Sequence, residues 1–181
     1  MAVTSRGFNT NIAGIFASNN KLLVLIDGRT VFTPFFNGTY WDVQDLLLED
    51  VERIEVIRGP GATIWGANAV NGVINVITKR AADSQGGLAK VGGGTFERGF
   101  ASARIGGQSG DDVHYRVYGK WMERESTFIR GVPESDDWRQ GRGGFRLDWN
   151  ASCDDLFTLQ GDLYSGANGF LNTAPAPRCA R

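Results

Sequence analysis

The segment from Glu52 to Lys79 constrains this chain more than any other. It reads Glu-Arg-Ile-Glu-Val-Ile-Arg-Gly-Pro-Gly-Ala-Thr-Ile-Trp-Gly-Ala-Asn-Ala-Val-Asn-Gly-Val-Ile-Asn-Val-Ile-Thr-Lys. From Val51 to Arg58, Val51, Arg53, Glu55 and Ile57 alternate with Glu52, Ile54, Val56 and Arg58, and period-two alternation predicts a strand. Gly59 permits a sharp turn, and Pro60 suits a first helical position, where its missing N–H would be unpaired anyway. Two short helical turns are expected over 62–67. Asn71-Gly72 is a turn dipeptide. The β-branched run from Val73 to Thr78 predicts a buried strand. A phosphate-binding loop would need Gly-Lys-Ser/Thr after the glycine-rich turn, and none follows.

Upstream, Lys21 to Asp27 contains the continuous apolar run of a strand buried on both faces. Asp27-Gly28 turns it into a second strand over Arg29 to Thr33. The stretch from Asn11 to Asn20 reads as a polar loop, and Pro34 to Trp41 as an aromatic one. Asp42 is placed to cap a helix over Val43 to Leu48. Residues 1–80 therefore predict an α+β unit, a small mixed sheet with short helices.

The rhythm changes beyond Arg80. A polar linker is expected over 81–86. Five antiparallel strands follow in 87–166, at about 87–93, 96–107, 113–125, 141–151 and 156–165, with 167–181 as a loop start or tail. In the third strand Val113, Tyr115, Val117, Gly119 and Trp121 alternate with His114, Arg116, Tyr118 and Lys120. A water-soluble sandwich and a membrane barrel wall both give this alternation. Strands of about ten residues, joined alternately by tight turns and the long stretch from Ser126 to Gln140, favour the wall. The short connection at Gly94-Thr95 is an exception to that pattern. Tyr115, Trp121 and Trp149 fall near the ends of the apolar bands, where interfacial aromatics belong.

Composition removes several function classes. A net charge of −1 gives no electrostatic case for nucleic acid. A single histidine, His114, supports neither a metal cluster nor a catalytic triad. Two cysteines, Cys153 and Cys179, are too few for a disulfide framework. No run of 18 apolar residues suggests a membrane helix, which says nothing against membrane strands.

Residues 2–80 resemble roughly the C-terminal two-thirds of the plug domain of TonB-dependent outer-membrane receptors. The resemblance rests on Ser5-Arg6-Gly7-Phe8-Asn9, on Val24-Leu25-Ile26-Asp27-Gly28-Arg29 and, most specifically, on the spacing of Arg-Gly-Pro, Trp-Gly-Ala-Asn-Ala and Asn-Gly-Val-Ile-Asn-Val-Ile-Thr. Residues 86–166 are similar to the first barrel strands by position and alternation. In that family the plug sits inside a barrel of about 22 strands. The resemblance implies an outer-membrane location in a Gram-negative bacterium and no enzymatic step or cofactor. Its implied partners are TonB, outer-membrane lipid and a small-molecule ligand such as a ferric siderophore, haem or cobalamin.

It also suggests site residues. Phe35, Phe36, Asn37, Tyr40 and Trp41 would face the outer vestibule as ligand contacts, with packing onto the sheet as the alternative. Arg53 and Arg58 would bridge plug to barrel, unless Glu52 and Glu55 hold them locally. Arg98, Arg104, Arg116, Lys120 and Arg146 share the polar phase of the strands and would form a basic inner wall.

A signal peptide, the plug start and the TonB-contacting peptide are not seen in the sequence. About five wall strands are an incomplete transmembrane β-barrel, since the smallest known have eight. An open edge in lipid leaves backbone groups unpaired at several kcal/mol each. The expectation is that the chain alone does not form a transporter and is a fragment of one. A soluble β-rich binding module is the competing reading.

Overall fold

The computed structural model describes residues 10–12, 16–18, 22–31, 39, 41–95, 97–126 and 137–168. The chain divides into two units, residues 1–84 and 85–181.

The first unit holds a four-stranded mixed sheet of β3 (Leu22–Ile26), β4 (Arg29–Thr30), β5 (Val51–Arg58) and β6 (Gly72–Thr78), in the order β4-β3-β6-β5. The central pair β3 and β6 is parallel, and both edge strands run antiparallel to their neighbours. All five residues of β3 are buried. Leu23 and Leu25 meet Ala69, Val73 and Trp65 on one face. Val24 and Ile26 meet Val31, Trp41, Leu46, Ile74 and Val76 on the other. The apolar run of β3 lacks alternation because neither of its faces meets water.

A two-residue turn joins β3 to β4, with Asp27 at φ 48° and Gly28 at φ 77°. Both positive angles match the twist of a tight hairpin. Asp27 also ties this turn to the end of β6: its carboxylate accepts the Thr78 N–H at 2.7 Å and the Thr78 hydroxyl at 2.8 Å. Its own N–H donates to the Val76 carbonyl at 2.9 Å. Replacing Asp27 by alanine is expected to destabilise this unit by about 2 kcal/mol, the scale of lost hydrogen bonds to a charged group. Asparagine, which keeps one oxygen and tolerates positive φ, should lose less. Urea-unfolding midpoints of the two variants check the order.

After β5, Gly59 at φ 103° turns the chain into α1 (Ala62–Trp65), a single turn rather than the helix expected over 62–67. It ends where Gly66 adopts φ 93°. The Gly61 N–H donates to the Ala69 carbonyl at 2.8 Å and closes the excursion. A Cβ on Gly61 would lie 3.3 Å from Trp65 Cδ1, so glycine lets the indole reach the core.

Several local expectations differ from the structure. β1 (Thr10–Ile12) and β2 (Phe16–Ser18) pair antiparallel within the stretch read as a polar loop. Backbone groups alone make that ladder, so polar composition does not forbid it. The helix expected over 43–48 is absent. Short 3-10 turns occupy Trp41–Val43 and Leu48–Asp50 instead, and Asp42 lies inside the first of them. Leu46 packs onto the sheet and Leu47 is buried as well, with extended backbone at Leu47 allowing both of these consecutive residues to be covered. The expected linker begins with a 3-10 turn, Ala81–Ser84, in which Ala81 and Ser84 are buried. Ser84 Oγ donates to the carbonyls of Arg80 and Ala81 at 3.1 and 3.2 Å.

The second unit is one antiparallel sheet in sequential order: β7 (Gly86–Gly92), β8 (Glu97–Ser109), β9 (Val113–Arg124), β10 (Trp138–Asn150) and β11 (Leu156–Asn168). Among the described residues this sheet has five strands. β11 ends later than the sequence reading placed it, and β10 starts earlier while β9 ends at Arg124, so the long connection is 125–137. Aromatic rings lie over glycines of neighbouring strands, with Phe100 against Gly92, Tyr115 against Gly107, Tyr118 against Gly144 and Phe145 against Gly161. Such pairs cover backbone that glycine would leave bare.

Candidate functional site

Register divides the second unit's sheet into two chemically distinct faces. Val91, Ala101, Trp121 and Gly141 share one row, Ile105, Val117, Phe145 and Gly161 another, and Trp149 and Phe157 a third. Every residue of this face is apolar or glycine between Val113 and Trp121 on β9, and between Gly141 and Trp149 on β10. The opposite face carries Ser102, Arg104, Arg116, Lys120, Arg142, Arg146, Asp148 and Asp162.

Burial is inverted relative to a water-soluble protein. Val91 and Leu163 are each 83% exposed and Ile105 67%, whereas Arg116 is 4% exposed and Asp148 2%. A soluble sandwich hides the apolar set between its layers. The wall of a membrane barrel presents that set to lipid and keeps the polar set inside. On β9 the uncharged band runs from Val113 to Trp121, ~27 Å of strand at about 3.4 Å per residue. Tilted by about 40°, it rises ~20 Å, near the height of a membrane barrel's apolar belt.

The buried polar face is internally bonded. Arg146 Nε donates to both oxygens of Asp148 at 3.0 Å, and the Thr158 hydroxyl donates to Asp148 Oδ1 at 2.7 Å. Arg142 pairs with Asp162. These contacts hold charged side chains that would otherwise be costly to desolvate. His114 stands in the same phase, register-paired with Asp148 and Gln108. Among the described residues no group of three or more potential metal ligands occurs.

Arg98 does not join the basic face. A register shift between Glu97 and Gly99 turns it to the apolar side. There its Nη1 lies 3.8 Å from Glu123 and its Nε 3.1 Å from Glu125. A bulge of one residue breaks strict alternation, which no count of residues along β8 reveals. On the polar side of the same end, Arg124 pairs with Glu97 at 2.9 Å and stacks over the Trp138 ring at 5.1 Å.

In the first unit, Arg53 is held by its neighbours, at 2.6 Å from Glu52 and 2.9 Å from Glu55. Asn75 Nδ2 donates to the other Glu55 oxygen at 3.2 Å. The local pairing weighed in the sequence is thus present for Arg53. Arg58, at the exposed end of β5, has no ion-pair partner among the described residues. Trp41 packs against the Val24–Ile26–Val31 cluster. Phe35, Phe36, Asn37 and Tyr40 lie outside the described residues.

The Glu55 carboxyl is held below its ordinary pKa, first by the bond from Arg53 and then by that from Asn75. Arg53 is held above its own ordinary value, chiefly by Glu55. A depressed carboxyl pKa adds stability that is present above the unfolded-state value and fades as pH falls through the folded one. In the Arg53→Ala variant the Glu55 pKa should rise, and carboxyl-detected NMR titration reads it. The effect on stability should be small, because the pair is solvent-screened.

The comparisons with known proteins agree with this geometry. Residues 1–73 match the TonB-dependent Receptor Plug Domain. The chain is 32% identical over 149 residues to the vitamin B12 transporter BtuB of Vibrio cholerae, covering 81% of this chain and 24% of that protein. It is 30% identical to the ferric enterobactin receptor PirA of Pseudomonas aeruginosa, covering 93% of this chain and 27% of that one. The crystal structure of the siderophore receptor PirA from Acinetobacter baumannii aligns with a TM-score of 0.62 at 21% identity, over 83% of this chain and 24% of that one. This chain belongs to the TonB-dependent receptors, with plug sequence in its first unit and barrel-type strands in its second. It spans about a quarter of the length of the curated relatives it matches.

Proposed function

We propose that this chain supplies plug and early wall to a receptor that takes up a scarce nutrient across the outer membrane. The carrying observation is the inverted second sheet, with an uncharged apolar face exposed and charged residues buried behind it. The plug match sets the task. The relatives named for vitamin B12 and ferric enterobactin suggest cobalamin or a ferric chelate as substrate. TonB would supply the movement of the plug, and the substrate would cross chemically unchanged. A soluble binding module fits less well, because it would leave Leu163, Val91 and Ile105 in water.

Phe35, Phe36, Asn37 and Tyr40 are proposed as ligand contacts and Arg58 as a bridge from plug to wall. Trp41 serves packing in addition to any contact it makes. In a receptor containing these residues, Trp41→Ala should lower plug stability together with ligand binding. A loss of binding alone would assign Trp41 to the ligand.

The proposal is tested by uptake. Cells deprived of their own receptors, and producing a receptor that contains this segment, should accumulate labelled ferric chelate or cobalamin only when TonB is present. Accumulation independent of TonB, or of neither ligand class, counts against it.

A further inference from the structure

β5 is the least anchored long strand of the first unit's sheet. Six of its eight residues are exposed, including Ile54 at 57% and Val56 at 61%, whereas every residue of β3 is buried. It lies at the sheet edge, with β6 as its one strand neighbour among the described residues. The ladder between the two is interrupted by a register shift between Val51 and Arg53. Parting β5 from β6 therefore uncovers little apolar surface, while parting β3 from β6 opens the core on both faces.

Side chains add one link. Glu52, Arg53 and Glu55 bond to one another within β5 and move with it. The bond from Asn75 Nδ2 to Glu55, at 3.2 Å, is the side-chain hydrogen bond that joins β5 to β6 among the described residues. Asn75 is itself a poor anchor. It interrupts a strand otherwise built from Val73, Ile74, Val76 and Ile77, on the face it shares with Leu25 and Val73. It is buried, and its Oδ1 accepts no hydrogen bond among the described residues. A buried acceptor without a donor disfavours the paired state and regains water when the strands part.

We propose that β5 is a release strand, which opens as a unit while β3 and β6 stay paired, and that Asn75 keeps this opening within reach. In the receptor reading above, on which its use in transport rests, β5 parts from β6 as the plug moves to let substrate pass. The Ile57 carbonyl points across at Gly72, so Arg53, Glu55 and Ile57 direct their backbone groups at β6. In a receptor that contains this segment, the amides of these three residues should exchange with solvent at least about tenfold faster than those of β3. Asn75→Val should slow them about tenfold and leave β3 unchanged, because it removes the orphan acceptor and favours the strand while Glu55 keeps Arg53 and water. Equal exchange in β5 and β3, or exchange not slowed by Asn75→Val, overturns the release strand.

A reversible lock tests the link to transport. Val56 and Ile74 are register partners in the row between the hydrogen-bonded ones, where Cα atoms stand about 4.5 Å apart, a span that a disulfide bridges. The test receptor has its native cysteines replaced by serine and carries Val56→Cys with Ile74→Cys. Oxidised, it should still bind labelled ferric chelate or cobalamin, whichever the unmodified receptor accumulates, but take up none. Reduction should restore uptake, and either cysteine alone should leave uptake intact. Uptake by the oxidised pair overturns the strand's part in transport. If the unmodified receptor accumulates neither ligand, the transport reading falls. In that case, or if the reduced pair does not transport, amide exchange alone decides the release strand.

Discussion

Replacing Gly72 by valine is expected to destabilise the plug sheet by about 4 kcal/mol, and alanine by nearly as much. Two effects combine at this residue. Gly72 has φ 150°, a backbone conformation that L side chains rarely adopt. A Cβ there would also stand 2.6 Å from the Ile57 carbonyl oxygen, across the β5–β6 ladder. That oxygen is backbone and cannot swing aside, so relief requires β5 to shift against β6. Strained backbone and overpacking are each worth about 1–3 kcal/mol. Gly28→Ala is the control. It shares positive φ, at 77°, but nothing lies within 4 Å of the added carbon, so only the conformational term applies. Amide hydrogen exchange of β3 and β6 should show protection nearly lost in Gly72→Val and slightly reduced in Gly28→Ala. Equal loss in both variants would mean that the close approach to Ile57 contributes nothing.

The second large effect concerns the wall and depends on solvent. Val117 lies midway along the uncharged band of β9 and is 53% exposed. In a bilayer, Val117→Arg should destabilise the folded sheet by about 3 kcal/mol, the cost of a cation near the membrane midplane of a barrel. Gln160→Arg, on the polar face of β11, should shift stability by less than about 1 kcal/mol. In a soluble protein the order would differ, since an exposed valine tolerates arginine within about 0.5 kcal/mol. Denaturant titrations of a receptor that contains this segment, folded into vesicles, separate these cases. A Val117→Arg effect no larger than that of Gln160→Arg would contradict a lipid-facing β9.

Much of the architecture was legible because the strands obey one rule at a time. β3 reads as continuous apolar sequence because both of its faces are covered, and β9 as strict alternation because one face is polar. The Asp27-Gly28 and Asn71-Gly72 dipeptides marked the turn after β3 and the entry to β6. Features decided by contact rather than period were not legible. Arg98 left the basic face through a one-residue bulge. Asp42 lies in a 3-10 turn, and the chain after it leaves helical geometry, with Leu47 extended, where Leu46 and Leu47 pack in succession. Ala81 and Ser84 look like linker residues by composition, yet both are buried. β10 begins at Trp138, within a stretch rich in loop-forming residues, because it pairs from Arg124 onward. At the candidate site, the choice of Arg53 between a local and a distant carboxylate could not be read from spacing, since glutamates flank it on both sides. Of the three contacts around Arg53 and Glu55, the two with glutamates lie within β5, and the one from Asn75 emerges only from the pairing of β5 with β6.

Depth-resolved quenching along β9 tests the central claim most directly. A small fluorophore is attached, one site at a time, to cysteines replacing residues 113 to 121 in a receptor that contains this segment and whose native cysteines are serine. That receptor is then folded into bilayers of bromine-labelled lipid. Quenching should be strong at Val113, Tyr115, Val117, Gly119 and Trp121, and weak at His114, Arg116, Tyr118 and Lys120. Uniformly weak quenching, with the odd-numbered positions shielded from both lipid and aqueous quenchers, would contradict a membrane wall and indicate a layer packed against other protein.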